Sequence, residues 1–367
     1  MNQPHFKIKP RSKIILKEWL FIIISVTALM YLYYFITWRG LEPYIIPEVF
    51  DGYVHSSYAF LEIGMQGVIF GLLFGAINLL IDNTSLRRRS FGSVILIKSI
   101  LYFFAISFSQ LAVFLIYRVF DIFPVEYTIE MLAVISPSLI ISMSVYFILV
   151  ILLINFILHI NRKFGYGILF SMLIGKYHKP RRERRIFMFL DMKDSTGIAE
   201  KLGHVRYSRL IQSCIHELSH LITRYKAEVY QYVGDEAVLT WKTNKGLSDL
   251  NCINLFYAFQ QRLSDRQDYF DQHFKIKPDF KAGLAEGAVT VAEVGDIKRE
   301  LAYHGEVLHT AARLEKLCNK LNHKVLITEE FFNLFPAYDG YDINLLGDFQ
   351  LRGKEGKEKV YGISRKF

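Results

Sequence analysis

Two aspartates stand where their side chains could hold divalent cations. Asp191 ends an apolar segment, 185–191, and Asp235 lies in a short hairpin, 232–236. Magnesium and manganese ions prefer oxygen ligands, and two such ions about 4 Å apart can activate an attacking hydroxyl while they neutralise a departing phosphate. The two carboxylates therefore indicate a two-metal site for a nucleotide.

Each aspartate also has an ordinary structural explanation. Gly-Asp is a common hairpin dipeptide, and an aspartate after a strand often caps the helix that follows. The choice between these interpretations depends on the segments that position Asp191 and Asp235.

The chain consists of two halves of different composition. Residues 1–185 contain 19 Lys and Arg against 10 Asp and Glu, whereas residues 186–367 contain 25 of each class. The whole net charge of +9 therefore belongs to the first half. Because that half is also rich in long apolar stretches, we attribute its charge to a membrane surface and predict no nucleic-acid partner.

Four of these stretches are long enough to cross a hydrocarbon core, which needs about 20 helical residues. They cover 19–38, 58–81, 94–117 and 132–160. We therefore predict an all-α bundle of four transmembrane helices in contact with membrane lipids.

The charges of the connecting segments predict the orientation of this bundle. Segments 1–18, 82–92 and 161–185 have net charges of +4, +2 and +7, whereas 39–57 and 118–131 are each −2. Positive charge accumulates in cytoplasmic loops. Both termini are thus expected in the cytoplasm, in a multi-pass protein of the inner or plasma membrane. The two outer segments are too short to hold a folded sensor domain.

Four glycines of the second apolar stretch, Gly64, Gly67, Gly71 and Gly75, fall on or near one helix face. Small residues permit close helix contact. The sequence leaves open whether this contact forms within the bundle or between two copies of the chain.

Glu62 and Lys98 lie inside or at the ends of the second and third stretches. Ionisable groups in a membrane are costly and often functional, but snorkelling near a helix end also accounts for both. The three cysteines, Cys214, Cys252 and Cys318, show no metal-ligand spacing. We predict that they are reduced residues of a cytosolic core.

The second half alternates strand and helix signals, which predicts an α+β domain with a mixed sheet and helices on its outer face. We divide the chain into a membrane domain over 1–160, a basic linker or coupling segment over 161–184 and a folded cytosolic domain over 185–367. Strands are predicted over 185–191, 226–233, 236–242, 279–286, 288–294, 299–304, 324–328, 344–351 and 358–364. Helices are predicted over 195–203, 205–224, 247–272, 306–321 and 328–334.

Four motifs follow one another in the second half. They are 189–196 (FLDMKDST), 229–236 (VYQYVGDE), 303–315 (YHGEVLHTAARLE) and 351–354 (LRGK). In order and spacing this set resembles the catalytic domain of class III nucleotide cyclases, over about half of the chain. The resemblance implies the cyclase fold and a site shared across a homodimer interface.

The resemblance also implies roles for single residues. Asp191 and Asp235 match the family's two metal-binding aspartates, with the backbone carbonyl of Met192 completing the set for two divalent cations, Mg²⁺ or Mn²⁺. Ser195 and Thr196 would contact phosphate oxygens at the start of a helix. An ordinary Ser/Thr helix cap is the structural alternative for this pair.

Two basic residues match phosphate-binding positions of the family. Arg313 corresponds to the arginine aimed at the α-phosphate in the transition state, where its fixed fork of donors suits developing charge. Lys354 corresponds to a lysine that pairs with the terminal phosphates. A solvated loop lysine is the alternative for Lys354.

Three positions depart from the usual family pattern. Gln231 stands where a lysine or glutamate usually selects the purine, and Ala302 replaces that residue's acidic partner. A glutamine amide can both donate and accept, so it suits either adenine or guanine. His309 stands where an asparagine usually lies near the ribose, and its imidazole is bulkier but can also donate a hydrogen bond.

Together these features lead to the hypothesis of a membrane-bound adenylate cyclase that converts ATP to 3′,5′-cyclic AMP and pyrophosphate. Guanylate cyclase activity on GTP remains open, and so does a cyclase-fold nucleotide sensor without turnover. A transporter or channel with a cyclase-like regulatory domain is a further alternative, which the few polar residues in the four apolar stretches disfavour.

Overall fold

The structure is a computed structural model. It describes residues 10–39, 56–84, 86, 91–120, 137–164, 171–172, 174–297, 299–335, 340–350 and 356–366. The chain separates into two compact units, 1–163 and 164–367.

In its described part, the first unit contains four long helices. They are α1 (Pro10–Tyr34, continued by a π-helical turn over Phe35–Arg39), α2 (Ser57–Asn83), α3 (Phe91–Val119) and α4 (Pro137–Phe164). Each contains a segment long and apolar enough to span a membrane. The four predicted helices are therefore confirmed, although residues 132–136 of the fourth prediction lie outside the described residues.

These helices are apolar all round, which is typical of membrane spans. Phe74 of α2 and Tyr102 of α3 are buried and stack with ring centroids 3.8 Å apart. On the outside, large apolar side chains such as Ile24, Leu96 and Phe104 are more than half exposed. Lipid, rather than water, suits such a surface.

The glycine face of α2 packs against α1. A Cβ atom on Gly67 would come within 2.8 Å of the Cα of Thr27, and one on Gly71 within 2.8 Å of the Cα of Ile23. Gly75 approaches Trp19 in the same way. Of the two interpretations left open by the sequence, the structure supports packing within one bundle.

Substituting Gly71 with alanine should loosen this helix pair. The added methyl group would meet backbone, and overpacking of this kind typically costs about 1–3 kcal/mol. We expect the melting temperature of the purified protein in lipid nanodiscs to fall by several degrees. Gly92→Ala is the matched control, because a Cβ there meets nothing within 4 Å. Equal melting temperatures for the two variants would contradict the proposed contact.

The structure does not support snorkelling for Lys98. This side chain is only 7% exposed, and its Nζ donates a hydrogen bond to Oδ1 of Asn78 at 2.6 Å. Glu62 is half-buried and accepts a hydrogen bond from Nε2 of Gln66 at 2.9 Å. Both ionisable groups thus take part in polar contacts within the first unit.

The second unit is built on one eight-stranded sheet. Its strands are β1 (Arg181–Met192), β2 (Glu228–Val233), β3 (Glu236–Lys242), β4 (Phe280–Val294), β5 (Glu300–His304), β6 (Val325–Thr328), β7 (Tyr341–Gln350) and β8 (Lys357–Arg365). Their order is β2-β3-β1-β4-β6-β8-β7, with β5 also paired to β4. The β4–β6 pair is parallel and the others are antiparallel, so the predicted mixed sheet is confirmed.

Among the described residues, six α-helices accompany this sheet. They are α5 (Ser195–Ile222), α6 (Thr243–Leu247), α7 (Asn251–Asp265), α8 (Gln267–Phe274), α9 (Glu306–Leu321) and α10 (Glu329–Asn333). The two helices predicted over 195–203 and 205–224 are the two parts of α5, which is kinked at Gly203 with φ of 71°. The helix predicted over 247–272 is instead split, because Arg266 leaves helical geometry between α7 and α8.

One long strand, β4, replaces the two strands predicted over 279–286 and 288–294. The prediction placed a break at Gly287. In the structure, this glycine continues the strand, and a Cβ atom there would lie 3.0 Å from Val307 of α9. Gly287 therefore provides space for a helix rather than a turn.

The first strand begins at Arg181, within the segment 161–184 predicted as a linker. Strand formation is compatible with this basic run because two of its arginines, Arg184 and Arg185, are paired with acidic side chains. Arg185 is 2% exposed and donates to Glu183 at 2.8 Å and to Glu228 at 2.6 Å. Its guanidinium also lies 4.9 Å from the ring centroid of Tyr303.

Helices pack on both faces of the sheet, in agreement with the predicted mixed sheet with outer helices. Even-numbered β1 residues such as Met188 and Leu190 belong to the core formed with α5, α7 and α8. Phe187, on the opposite face, packs with α9. A Cβ atom on Gly283 would lie 2.3 Å from the carbonyl oxygen of Ala311, so this glycine lets α9 approach β4 closely. Cys214, Cys252 and Cys318 are buried and free, as predicted.

Candidate active site

The sheet register brings the two aspartates to one place. Antiparallel pairing of β1 with β3 ends at Leu190 opposite Ala237, so Asp191 follows directly and lies beside the hairpin that contains Asp235. That hairpin turns at Gly234, whose φ of 62° favours glycine. The first two motifs, which are distant in sequence, therefore meet at one end of the antiparallel β1–β3 pair.

The backbone carbonyl group of Met192 points toward the side of β1 on which Asp235 lies. The amide of Lys193 donates a hydrogen bond to the carbonyl oxygen of Asp279 at 2.9 Å, on the β4 side of β1. The N–H and C=O of one trans peptide point in opposite directions. The carbonyl oxygen of Met192 is therefore directed away from β4, toward the side of β3 and Asp235.

A lysine and further carboxylates surround Asp191. Lys281, its cross-strand neighbour on β4, places Nζ 3.4 Å from Oδ2 of Asp191 and 2.5 Å from Oε1 of Glu315. Burial, followed by the charges of Glu315 and Asp235, raises the pKa of Asp191 to about 7, although Lys281 acts in the opposite direction. Burial and the charge of Glu315 also raise the pKa of Glu236.

This cluster fits the chemistry of divalent cations. It has more carboxylates than cationic side chains, and Oδ2 of Asp235 is buried without a hydrogen-bond partner among the described residues. Within the same described ranges, no three histidine, cysteine or acidic side chains are arranged around one metal position. The donor set that fits is thus Asp191, Asp235 and the Met192 carbonyl, with other positions left for substrate oxygens or water.

The first turn of α5 lies next to this cluster. The helix begins at Ser195, and its cap residue is Asp194, which has a left-handed backbone and forms no side-chain cap. Neither Ser195 nor Thr196 is therefore the helix cap considered as their structural alternative. Thr196 is exposed and Ser195 is half-buried.

Tyr207 connects the helix start to the hairpin. Its hydroxyl lies near the side chains of Ser195 and Asp235 and interacts with both. Burial, followed by the charge of Asp235, raises the pKa of Tyr207 to about 12. The phenol is thus protonated at neutral pH and can donate to oxygen acceptors.

The third motif forms the start of α9. Nη1 of Arg313 donates a hydrogen bond to Oε1 of Glu306 at 2.9 Å, and His309 is exposed one turn before Arg313. Residues four apart share a helix face. In the described chain, no ion pair or hydrogen bond joins Arg313 or His309 to the two aspartates.

The two purine positions lie on different strands. Gln231 is exposed on β2, just after a bulge in its pairing with β3, and Ala302 is half-buried on β5 opposite Ala292. Their neighbours Tyr230 and Tyr303 have ring centroids 5.0 Å apart. Lys354 lies outside the described residues.

Three residues of this site were not predicted from the sequence: Lys281, Glu315 and Tyr207. Glu315 ends the third motif, which was a usable signal. Lys281 is detectable only from the β1–β4 register, and Tyr207 only from the packing of α5 against the hairpin.

Residues 178–365 match the model of the adenylate and guanylate cyclase catalytic domain, which is just over half of the chain. The chain belongs to this family. The match includes Asp191, Asp235, Arg313 and all eight strands. The second unit is thus a cyclase domain, preceded by four candidate membrane-spanning helices.

Several known proteins are similar to this chain. Adenylate cyclase 2 of Rhizobium meliloti is 29% identical over 209 residues, which cover 57% of this chain and 58% of the relative's length. A bacterial light-regulated adenylyl cyclase has the same fold, with a TM-score of 0.53, 18% identity and coverage of 62% of this chain and 66% of that one. The adenylyl cyclase CyaB from P. aeruginosa aligns with a TM-score of 0.46 and 18% identity over 52% of this chain and 97% of that one.

Proposed function

We propose that this cyclase converts ATP to 3′,5′-cyclic AMP and pyrophosphate at sites shared by two protomers. The supporting observation is the position of Asp191 beside Asp235, with one buried carboxylate oxygen of Asp235 unpartnered among the described residues. The name of the Rhizobium relative supports ATP as substrate.

The aspartates, with the Met192 carbonyl, hold two divalent cations, Mg²⁺ or Mn²⁺. When bound, these ions lower the pKa of the ribose 3′-hydroxyl and balance charge on the triphosphate. The ammonium group of Lys281 lies 3.4 Å from the carboxylate of Asp191 and 2.5 Å from that of Glu315. Through these contacts, Lys281 and Glu315 position Asp191. Tyr207 positions Asp235 relative to the first turn of α5.

Further residues of the proposed site contact the phosphates of the substrate. The first-turn amides of α5, with Ser195 and Thr196, attract phosphate oxygens because a helix start has positive potential. Arg313 exchanges Glu306 for the α-phosphate, where charge develops as the bond from the 3′-oxygen to phosphorus forms and the bond to pyrophosphate breaks. Lys354 binds the terminal phosphates.

The site is completed by a second copy of the chain. Arg313 and His309 form no described contact with Asp191 or Asp235 of their own protomer. One protomer supplies the aspartates, and the other supplies Gln231, Ala302, His309 and Arg313. Tyr232 and Val233, which precede Asp235 in the hairpin, are exposed apolar residues. They are available for such an interface.

Product analysis with the purified full-length protein tests this function. The protein in nanodiscs is incubated with ATP or GTP and with Mg²⁺ or Mn²⁺, and the nucleotides are separated by chromatography. Cyclic AMP from ATP is the expected product. Cyclic GMP as the main product would instead support a guanylate cyclase, to which Gln231 is equally suited.

A nucleotide sensor without turnover is the second candidate, suggested by Ala302 and His309 at positions where the sequence departs from the family. Nucleotide would then raise the melting temperature without any cyclic product. Because Asp191, Asp235 and Arg313 are all present, we favour the enzyme.

Substitution of His309 with asparagine tests one of these departures. We expect turnover to be preserved or raised, because asparagine can donate the same kind of hydrogen bond from a smaller side chain. His309 is exposed on α9, so little effect on folding is expected. A large decrease in kcat would show that the imidazole has a role of its own.

We further propose that both termini lie in the cytoplasm of a multi-pass inner or plasma membrane protein. The charges of +7 over 161–185 and −2 over 39–57 support this orientation. Reporter fusions at residues 45, 88 and 125 test it. Periplasmic or extracellular activity only at 45 and 125 is the expected result, and such activity at 88 would contradict the orientation.

A further inference from the structure

Outside the candidate active site, the surface of α5 contains a pair of histidines one turn apart. His216 is exposed and His220 is half-buried. Their Nε2 atoms lie 3.3 Å apart, and their rings are inclined at 79°. Because residues four apart share a helix face, the backbone of α5 holds the two nitrogens as neighbouring ligands.

The separation of these nitrogens fits a tetrahedral metal ion. Zinc–nitrogen bonds of 2.0–2.1 Å at a tetrahedral angle place two ligand nitrogens about 3.3–3.4 Å apart. A direct hydrogen bond from nitrogen is usually shorter, with a mode of about 2.9–3.0 Å. The observed 3.3 Å between His216 and His220 is thus closer to the spacing of a chelated ion.

We propose that His216 and His220 form a chelating site for a divalent transition-metal cation of the zinc class. Imidazole nitrogens suit Zn²⁺, Ni²⁺ and Cu²⁺, whereas Mg²⁺ prefers oxygen ligands. No set of three metal-binding side chains occurs in the described part of the chain. The site therefore has two protein ligands, and water or an external ligand fills the open positions.

The side chains next to the histidine pair keep this metal site separate from the carboxylate cluster around Asp191. Glu217, the acidic neighbour of His216, is 1% exposed and pairs with Arg262 and Arg266 within the core. Ser219, just before His220, lies near Tyr232 of the hairpin and interacts with it. The metal site therefore lies on the part of α5 that contacts the hairpin containing Asp235, without using its carboxylate.

Zinc binding by the full-length protein tests the proposal. The protein in nanodiscs is stripped of transition metals, supplied with excess Mg²⁺ to occupy oxygen sites, and titrated with Zn²⁺ against a chromophoric zinc indicator. His216→Gln and His220→Gln remove one ligand each, and glutamine is a good helix former. His204→Gln is the matched control, because His204 is another exposed histidine of α5 outside the pair.

We expect each single variant of the pair to raise the Kd for Zn²⁺ by at least about tenfold. Losing only a hydrogen-bond partner of a metal ligand typically lowers metal affinity about 10–100-fold, and these variants lose a ligand itself. The His204→Gln variant should bind zinc like the wild type. Unchanged affinity in His216→Gln or His220→Gln would overturn the proposal. Melting temperatures without zinc show whether each variant is folded.

A spectroscopic measurement on the unmodified protein avoids any folding defect. One equivalent of Cu²⁺ bound at the pair should show electron paramagnetic resonance couplings to two nitrogens. Coupling to fewer than two nitrogens in the wild type would also overturn the proposal.

Discussion

Replacing Asp191 or Asp235 with asparagine is expected to lower cyclic nucleotide production at least about a thousandfold. Each change removes charge from the proposed cation site, a loss of several kcal/mol of transition-state stabilisation, and about 1.4 kcal/mol corresponds to tenfold in rate. Initial rates with ATP and saturating Mn²⁺ or Mg²⁺ measure the effect.

The two variants should remain folded. Asparagine preserves the shape of each side chain, and Lys281 keeps Glu315 as a partner when the Asp191 charge is lost. Asp342→Asn is the matched control, because this aspartate is 54% exposed on β7 at the opposite edge of the sheet. If Asp191→Asn or Asp235→Asn retained more than a tenth of wild-type turnover, the two-metal assignment would be wrong.

Substituting Arg313 with alanine is expected to reduce kcat about 100- to 1000-fold, the range found when one donor to a developing charge is removed. The effect on KM should be smaller, because the proposed contact forms mainly in the transition state. Arg313 is one-quarter exposed and pairs with the half-exposed Glu306. Its removal should therefore change the melting temperature little.

Mixing this variant with Asp191→Asn gives the sharper measurement. If each site combines Asp191 of one protomer with Arg313 of the other, a mixed dimer has one site with both residues intact and one with neither. Co-expression in equal amounts should then restore on the order of a quarter of wild-type activity, as half of the randomly formed dimers are mixed. Glu306→Gln in place of Arg313→Ala is the control for loss of the ion pair alone.

Failure of complementation would contradict a site shared in this way. If the mixture were no more active than either variant, Asp191 and Arg313 would have to act from one protomer. The activity of the Glu306→Gln control indicates whether the contact between Arg313 and Glu306, at 2.9 Å, is itself required for turnover.

Local sequence pattern was sufficient for much of the fold. Helix α9 was predicted over the residues 306–321 that form it, and its sequence is amphipathic. Hairpin β2–β3 was predicted from Gly234 and Asp235 between two apolar runs. Both signals lie within a few residues of the structure they specify.

The errors occurred where a residue had a tertiary role. Gly287 suggested a break between two strands, but it makes room for Val307 in one continuous β4. The basic run from Arg181 suggested a linker, but Arg185 pairs with Glu183 and Glu228 inside a folded unit. Neither Val307 nor Glu228 lies in the local sequence around the residue that it contacts.

The sequence alone was enough to establish the four apolar helices, the α+β class and the resemblance to cyclases, because periodicity and motif spacing are properties of neighbouring residues. Only the tertiary structure decided that Lys281 and Glu315 surround Asp191, that Tyr207 joins Ser195 to Asp235 and that the α2 glycines face α1. These contacts depend on strand register and helix packing between segments far apart in the chain. Such long-range pairing follows from the burial of whole surfaces rather than from any single segment.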